Sequence, residues 1–129
     1  MEDESILFST KKILGYSEDY TAFDHDIVVF INGVFSDLDQ LGIGPTGGYT
    51  IGYDGSEVWG DYVTTDVPST MLQSVRTYVF LRVRMLHDPS MTGVMKDAMM
   101  AQIDKLEWRL NSARESMIHP LSEFVEEEV

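Results

Sequence analysis

Residues 77–111 read TYVFLRVRMLHDPSMTGVMKDAMMAQIDKLEWRLN, from Thr77 to Asn111. Two apolar-periodic runs flank a break at His87-Asp88-Pro89-Ser90. Pro89 disfavours helical backbone at the residue before it, and Ser90 can cap a new helix. The stretch therefore predicts a helical hairpin with almost no connecting loop, its second helix running from about Ser90 to Ser112. In that helix Met95, Met99, Ile103, Leu106 and Leu110 recur at 4-4-3-4 spacing, a single apolar seam. Trp108 falls off the seam; it either widens the core stripe or meets another subunit.

The helix before it starts near Pro68, a residue suited to a first helical position. Met71, Leu72, Val75, Tyr78, Val79, Leu81, Val83 and Leu86 make it apolar over more than one face. Such a helix is central, or covered on two sides. Arg82 and Arg84 cannot share one face. With Arg76 they are expected to pair with carboxylates on neighbouring segments or subunits.

Upstream, a first helix is predicted from about Asp3 to Leu14, with Asp3 or Ser5 as cap and Gly15 as stop. Ile6, Leu7, Ile13 and Leu14 mark its apolar face. Lys11 and Lys12 fall in the last turn, where the helix dipole favours cations. A second helix runs from about Asp24 to Leu41, buries Ile27, Ile31, Val34, Phe35, Leu38 and Leu41, and closes at Gly42.

Residues 42–67 hold seven of the ten glycines. A short strand at Tyr49-Thr50-Ile51, a turn at Asp54-Gly55 and one helical turn around Val58 and Trp59 are the expected structure. An irregular segment this long is often functional or partner-bound. Tyr49, Tyr53, Trp59 and Tyr62, with Trp108, are candidate interface residues; alternatively Trp59 and Ile51 plug the open end of a bundle. The fold class expected is thus mainly α: a four-helix bundle with a C-terminal helical hairpin, a Gly- and aromatic-rich loop with a short β-hairpin, and an extended arm. The helical domain spans residues 1–113 and the arm residues 114–129. In the arm Ile118, Leu121, Phe124 and Val125 are apolar, Pro120 interrupts any helix, and Glu126, Glu127 and Glu128 finish the chain.

Of 129 residues, none is cysteine, so disulfides and thiolate metal sites are excluded. No apolar run approaches the roughly 20 residues of a membrane span. The acidic start, MEDES, is unlike a signal peptide, and cytoplasmic production is expected. The net charge of −13 is uneven: residues 1–70 carry thirteen acids against Lys11 and Lys12, whereas residues 71–113 carry six basic residues against four acids. So acidic a chain does not grip a DNA backbone through counterion release.

The chemistry of an enzyme is not visible. His25, His87 and His119 are isolated, which makes a metal site improbable. Gly42 to Gly48 is glycine-rich but lacks the Gly-Lys-Ser/Thr of a phosphate loop, and no nucleophile elbow occurs. No catalytic residue, cofactor or metal is expected.

The order of elements, with Leu41-Gly42-Ile43-Gly44-Pro45, Leu81 to Pro89, and Leu106-Glu107-Trp108-Arg109-Leu110-Asn111, resembles the head-tail connector (adaptor) proteins of long-tailed bacteriophages over roughly residues 4–112. The resemblance implies a structural virion protein, made in the host cytoplasm and placed at the head-tail junction. It implies a ring, usually twelve-fold, below the portal that extends the DNA channel toward the stopper and tail. Genomic DNA would pass without specific binding and no membrane would be involved. On that reading Asp37, Asp39, Asp54, Asp61 and Asp66 are candidate channel-lining acids, and Ile118, Leu121, Phe124 and Val125 a portal-docking arm. The competing expectation is an acidic DNA mimic or regulatory helical protein bound to a basic partner.

Overall fold

A computed structural model describes residues 2–64, 67–88 and 90–118, the side chain of Ile118 excepted. Four helices pack together: α1 (Ile6–Ile13), α2 (Asp24–Gln40), α3 (Ser69–His87) and α4 (Gly93–Ile118). A short 3₁₀ turn, Trp59–Tyr62, interrupts the long α2–α3 connection. The mainly α architecture expected from the sequence is the one observed. Among the described residues there is no strand, only an isolated bridge between Ser5 and Val58.

Each early helix is stopped by the same device. In α1 the Gly15 N–H bonds the Lys12 carbonyl (3.0 Å) and the Tyr16 N–H bonds the Lys11 carbonyl (2.9 Å), with Gly15 at φ +91°. In α2 the Gly42 N–H bonds Asp39 (2.9 Å) and the Ile43 N–H bonds Leu38 (2.9 Å), with Gly42 at φ +78°. These are Schellman stops, which require left-handed backbone just past the helix. Ile43 is buried in the same core as Leu38, so the Leu41-Gly42-Ile43 segment both ends α2 and anchors the start of the long loop.

Helix α3 is the centre of the fold. It packs against α1, α2 and α4, and Leu72, Val75, Tyr78, Val79 and Val83 are buried along it. Pro68 is its N-cap residue rather than its first helical one. The hairpin turn is longer than the sequence suggests. Ser90 does not cap α4: its N–H and hydroxyl bond the Asp88 carboxylate (3.1 and 2.7 Å), forming a local turn. Thr92 takes the cap instead, its Oγ1 accepting from the Met95 N–H at 3.3 Å. α4 also runs past Ser112 to Ile118, so residues 114–118 of the expected arm are helical.

The expected strand at Tyr49-Thr50-Ile51 is replaced by a side-chain clamp. Asn32 Nδ2 donates to the Ile51 carbonyl (3.1 Å), and the Ile51 N–H donates to Asn32 Oδ1 (2.8 Å). One amide on α2 thus satisfies both backbone groups of Ile51, as a neighbouring strand would. A second seam stitches the loop to the start of α1. The Ile6 N–H bonds Glu57 O (2.9 Å) and the Trp59 N–H bonds Glu4 O (3.0 Å).

Candidate assembly interface

The loop aromatics turn inward. Trp59 and Tyr62 are fully buried, and Phe35 on α2 is their hub. Its ring stacks on Tyr62 (5.1 Å between centroids) and meets Tyr49 and Trp59 edge-on (5.4 and 6.3 Å). The Trp59 indole donates to Ser9 Oγ at 2.9 Å. Trp59 and Ile51 therefore plug the bundle, the second of the two roles open to them from sequence, and Trp59 and Tyr62 are unavailable as surface contacts. Tyr49 is half-buried; burial first, then the Asp61 and Glu57 charges, push its phenol up to about 12. Only Tyr53 and Trp108 of the aromatic candidates are exposed. Tyr53 lies flat on His25 at the start of α2 (5.7 Å between rings).

The α4 seam is real over its second half and open over its first. Ile103, Leu106 and Leu110 are buried, Met99 is half-buried, and Met95 is 46% exposed. α4 packs along α3 but has no comparable contact with α1 or α2, so only a narrow stripe is covered. The hairpin's turn end consequently shows apolar surface: Leu86, Val94, Met95 and Met100. A second stripe lies on the side of α4 turned away from the core. Val94, Ala98, Ala101 and Trp108 share it at multiples of helical spacing, with Lys105 between the last two. All are exposed, Val94 at 82% and Trp108 at 71%.

A polar relay crosses the three longer helices. The Arg82 guanidinium donates to Asp37 Oδ2 (2.6 Å) on α2 and to the Tyr78 hydroxyl (2.8 Å); that hydroxyl donates to Glu107 Oε1 (2.6 Å) on α4. Burial opposes the charge on Arg82, but the Asp37 and Tyr78 bonds outweigh it and hold the guanidinium above its ordinary value. Burial, followed by the Glu107 bond, pushes the Tyr78 phenol up to about 12. Arg76 pairs with Glu4 (3.3 Å) and lies over the Trp59 and Phe80 rings. Arg76 and Arg82 thus find carboxylates on neighbouring segments, as their placement on α3 predicts.

Of the candidate acids, Asp37 is engaged with Arg82, and Asp61 accepts the Val58 N–H at 3.0 Å. Asp54 accepts the Ser56 hydroxyl and N–H (2.7 and 3.0 Å), which holds its carboxyl below the usual range. Asp39 is exposed on the last turn of α2. Asp66, Leu121, Phe124, Val125 and the Ile118 side chain lie outside the described residues. Three tertiary contacts are not foreseen from the sequence: Lys11 with Asp24, Asn32 with Ile51, and Tyr16 with His87 (2.7 Å). Lys11 shares a helical stripe with Leu7 and Leu14, so a cation on an apolar face is the visible signal.

No group of three His, Cys, Asp or Glu residues that could hold a metal occurs among the described residues. No helix there is long and apolar enough to cross a membrane.

Four packed helices with no strand among the described residues put the chain in the all-α class. The family model of phage connector proteins matches residues 6–117, and the chain belongs to that family. Its role is structural, at the connection of phage head and tail, and not enzymatic. No curated protein and no solved structure matches the chain.

Proposed function

We propose that the chain assembles as a closed ring of like subunits, twelve being the number the resemblance implies, seated between the portal and the stopper or tail. The ring extends the DNA channel. The family match over residues 6–117 carries this reading. The charge distribution supports it: acids concentrated in residues 1–70 give the lumen a sign that keeps DNA from adhering in passage. Asp39 and Asp54 are the lumen candidates least committed to other helices, while Asp37 and Asp61 also hold parts of the fold together; Asp66 completes the set.

The C-terminal segment supplies the grip on the portal. Ile118, Leu121, Phe124 and Val125 are apolar residues that a partner groove would bury, each contributing roughly 1.5–3 kcal/mol before ordering costs. Because α4 extends to Ile118, the clean truncation removes residues 119–129. That variant is expected to keep its helical circular dichroism and its ring in electron micrographs, and to lose stable attachment to portal-bearing heads. Undiminished attachment overturns the arm assignment; purified full-length chain that never forms closed rings, alone or on portal-bearing heads, overturns the ring.

A further inference from the structure

Two exposed faces of this fold are unlike and complementary. The outward stripe of α4 carries Val94, Ala98, Ala101, Lys105 and Trp108, and Arg109 borders it on the Lys105 side. Neither cation makes an ion pair among the described residues, although both stand on a structured helix. Asp97 and Asp104 border the opposite side. Helix α2 has the converse chemistry. It contains four aspartates and no Lys or Arg. Its outward face shows Val29, 51% exposed, one turn from His25 with its stacked Tyr53 and one turn from Gly33. Asp26 lies beside Val29 and has no ion-pair partner among the described residues. A Cβ built at Gly33 meets nothing within 4 Å, so the folded subunit leaves that surface open to a close neighbour.

The two helices flank α3, and both faces are exposed in the folded chain, so neither covers the other within one subunit. We propose that the outward stripe of α4 in one copy docks on the outward face of α2 in a second copy, with Trp108 packing beside Val29 and Lys105 and Arg109 meeting Asp26. The occupant is another copy because the chain carries both halves of the match, apolar centre against apolar centre and cation against anion. Such a contact is heterologous: each subunit uses a different face toward each neighbour, which is the arrangement that propagates round a ring. Aromatic anchors with polar rims are the usual energetic centre of such contacts. The inference rests on the ring reading and assigns its subunit interface.

Complementation between two variants tests it. Trp108→Asp spoils only the α4 face and Val29→Asp only the α2 face; both positions are exposed, so circular dichroism and melting should match the wild type. In analytical ultracentrifugation at a concentration where the wild type assembles, each variant alone is expected to be monomeric. An equimolar mixture is expected to give a dimer and nothing larger, since each pair retains one intact junction. Lys105→Glu with Arg109→Glu keeps every apolar side chain of the stripe and is expected to weaken assembly at least tenfold at low salt. If the wild type forms closed rings and both aspartate variants do so equally, this interface is wrong and the ring stands. If the variants are monomeric but their mixture gives no dimer, the pairing of α4 with α2 is wrong. A wild type that stays monomeric, free and on portal-bearing heads, overturns both.

Discussion

Lys11 Nζ lies 2.9 Å from Asp24 Oδ1, and the lysine side chain is fully buried. The contact is an ion pair rather than an aligned hydrogen bond; the ammonium's bond goes to the Glu18 carbonyl, also at 2.9 Å. The pair ties the end of α1 to the start of α2. Removing one partner of a buried pair leaves an uncompensated charge. Asp24→Ala is therefore expected to cost about 2–4 kcal/mol, below the fully buried range because Asp24 keeps some solvent. Lys11→Met should cost less, since the Asp24 side chain it leaves behind is 18% exposed, whereas Asp24→Ala strands a fully buried ammonium. Urea unfolding of the two variants checks the order; equal and negligible losses would show that the pair holds nothing.

The two halves of the α4 seam should respond differently to charge. Leu106 is 5% exposed and sits against the core. Leu106→Asp buries a carboxylate without a partner and is expected to cost several kcal/mol, on the order of 3 or more. Met95→Asp, at the open end, should change stability by about 0.5 kcal/mol or less. Thermal melts of both variants make the comparison, and similar losses would mean that the first turns of α4 are covered within the subunit.

Heptad spacing reports which residues share a stripe of a helix, not how much of that stripe meets a partner. That is why the seam is legible in the sequence while its open end is not. The helices themselves follow from periodicity and from Gly15 and Gly42. The loop is harder. Ile51 has the β-branched look of a strand, but its ladder partner is the Asn32 amide, nineteen positions away in sequence. Tyr62 resembles a surface aromatic, and Trp59 is open to either role, until Phe35 is placed beside them. Lys11 reads as a dipole-facing cation because its partner, Asp24, is itself explained by a helix start. Of the proposed interface, Trp108 is visible as an off-seam aromatic. Its complement around Val29 is not, because a single exposed valine on an otherwise regular helix carries no signal of its own.

Gly42 is doubly constrained. Its φ of +78° disfavours any side chain, and the Arg114 guanidinium of α4 occupies the space where a Cβ would go. Gly42→Ala is expected to cost about 1–3 kcal/mol from backbone strain alone, with Arg114 displaced as well. Gly33→Ala, in the interior of α2 with open space around it, should stabilise the isolated subunit by roughly 0.5–1 kcal/mol. Chemical denaturation of the two alanine variants under conditions that keep them monomeric is the test; opposite signs are required.

Alkaline pH should loosen the fold through Tyr49 and Tyr78. Both phenols have folded values near 12 against an ordinary 10, so the neutral form is favoured by folding. For a raised value the stabilising contribution is complete below pH 10 and is lost as the pH climbs from 10 through 12. Melting temperature is expected to fall across that window, and Tyr78→Phe, starting from a lower stability, should show a shallower fall. Phenolate absorbance followed during titration locates the ionisations. Tyr49 and Tyr78 ionising at the ordinary value in the folded chain, assigned by the absorbance that Tyr49→Phe and Tyr78→Phe remove, would contradict the burial described above.

The Asp37–Arg82–Tyr78–Glu107 relay crosses from α2 to α3 through Arg82, runs one turn along α3 to Tyr78, and crosses to α4 at Glu107. Apolar contacts are non-directional, whereas the two inter-helix bonds fix Asp37 and Glu107 against particular turns of α3. α2 and α4 are thus keyed to one another in register through a single turn of α3, by polar bonds added to the apolar core. Lengthwise register between the first and last of the longer helices is therefore set by four side chains, so any one of them lost would loosen the alignment of two helices that scarcely touch each other.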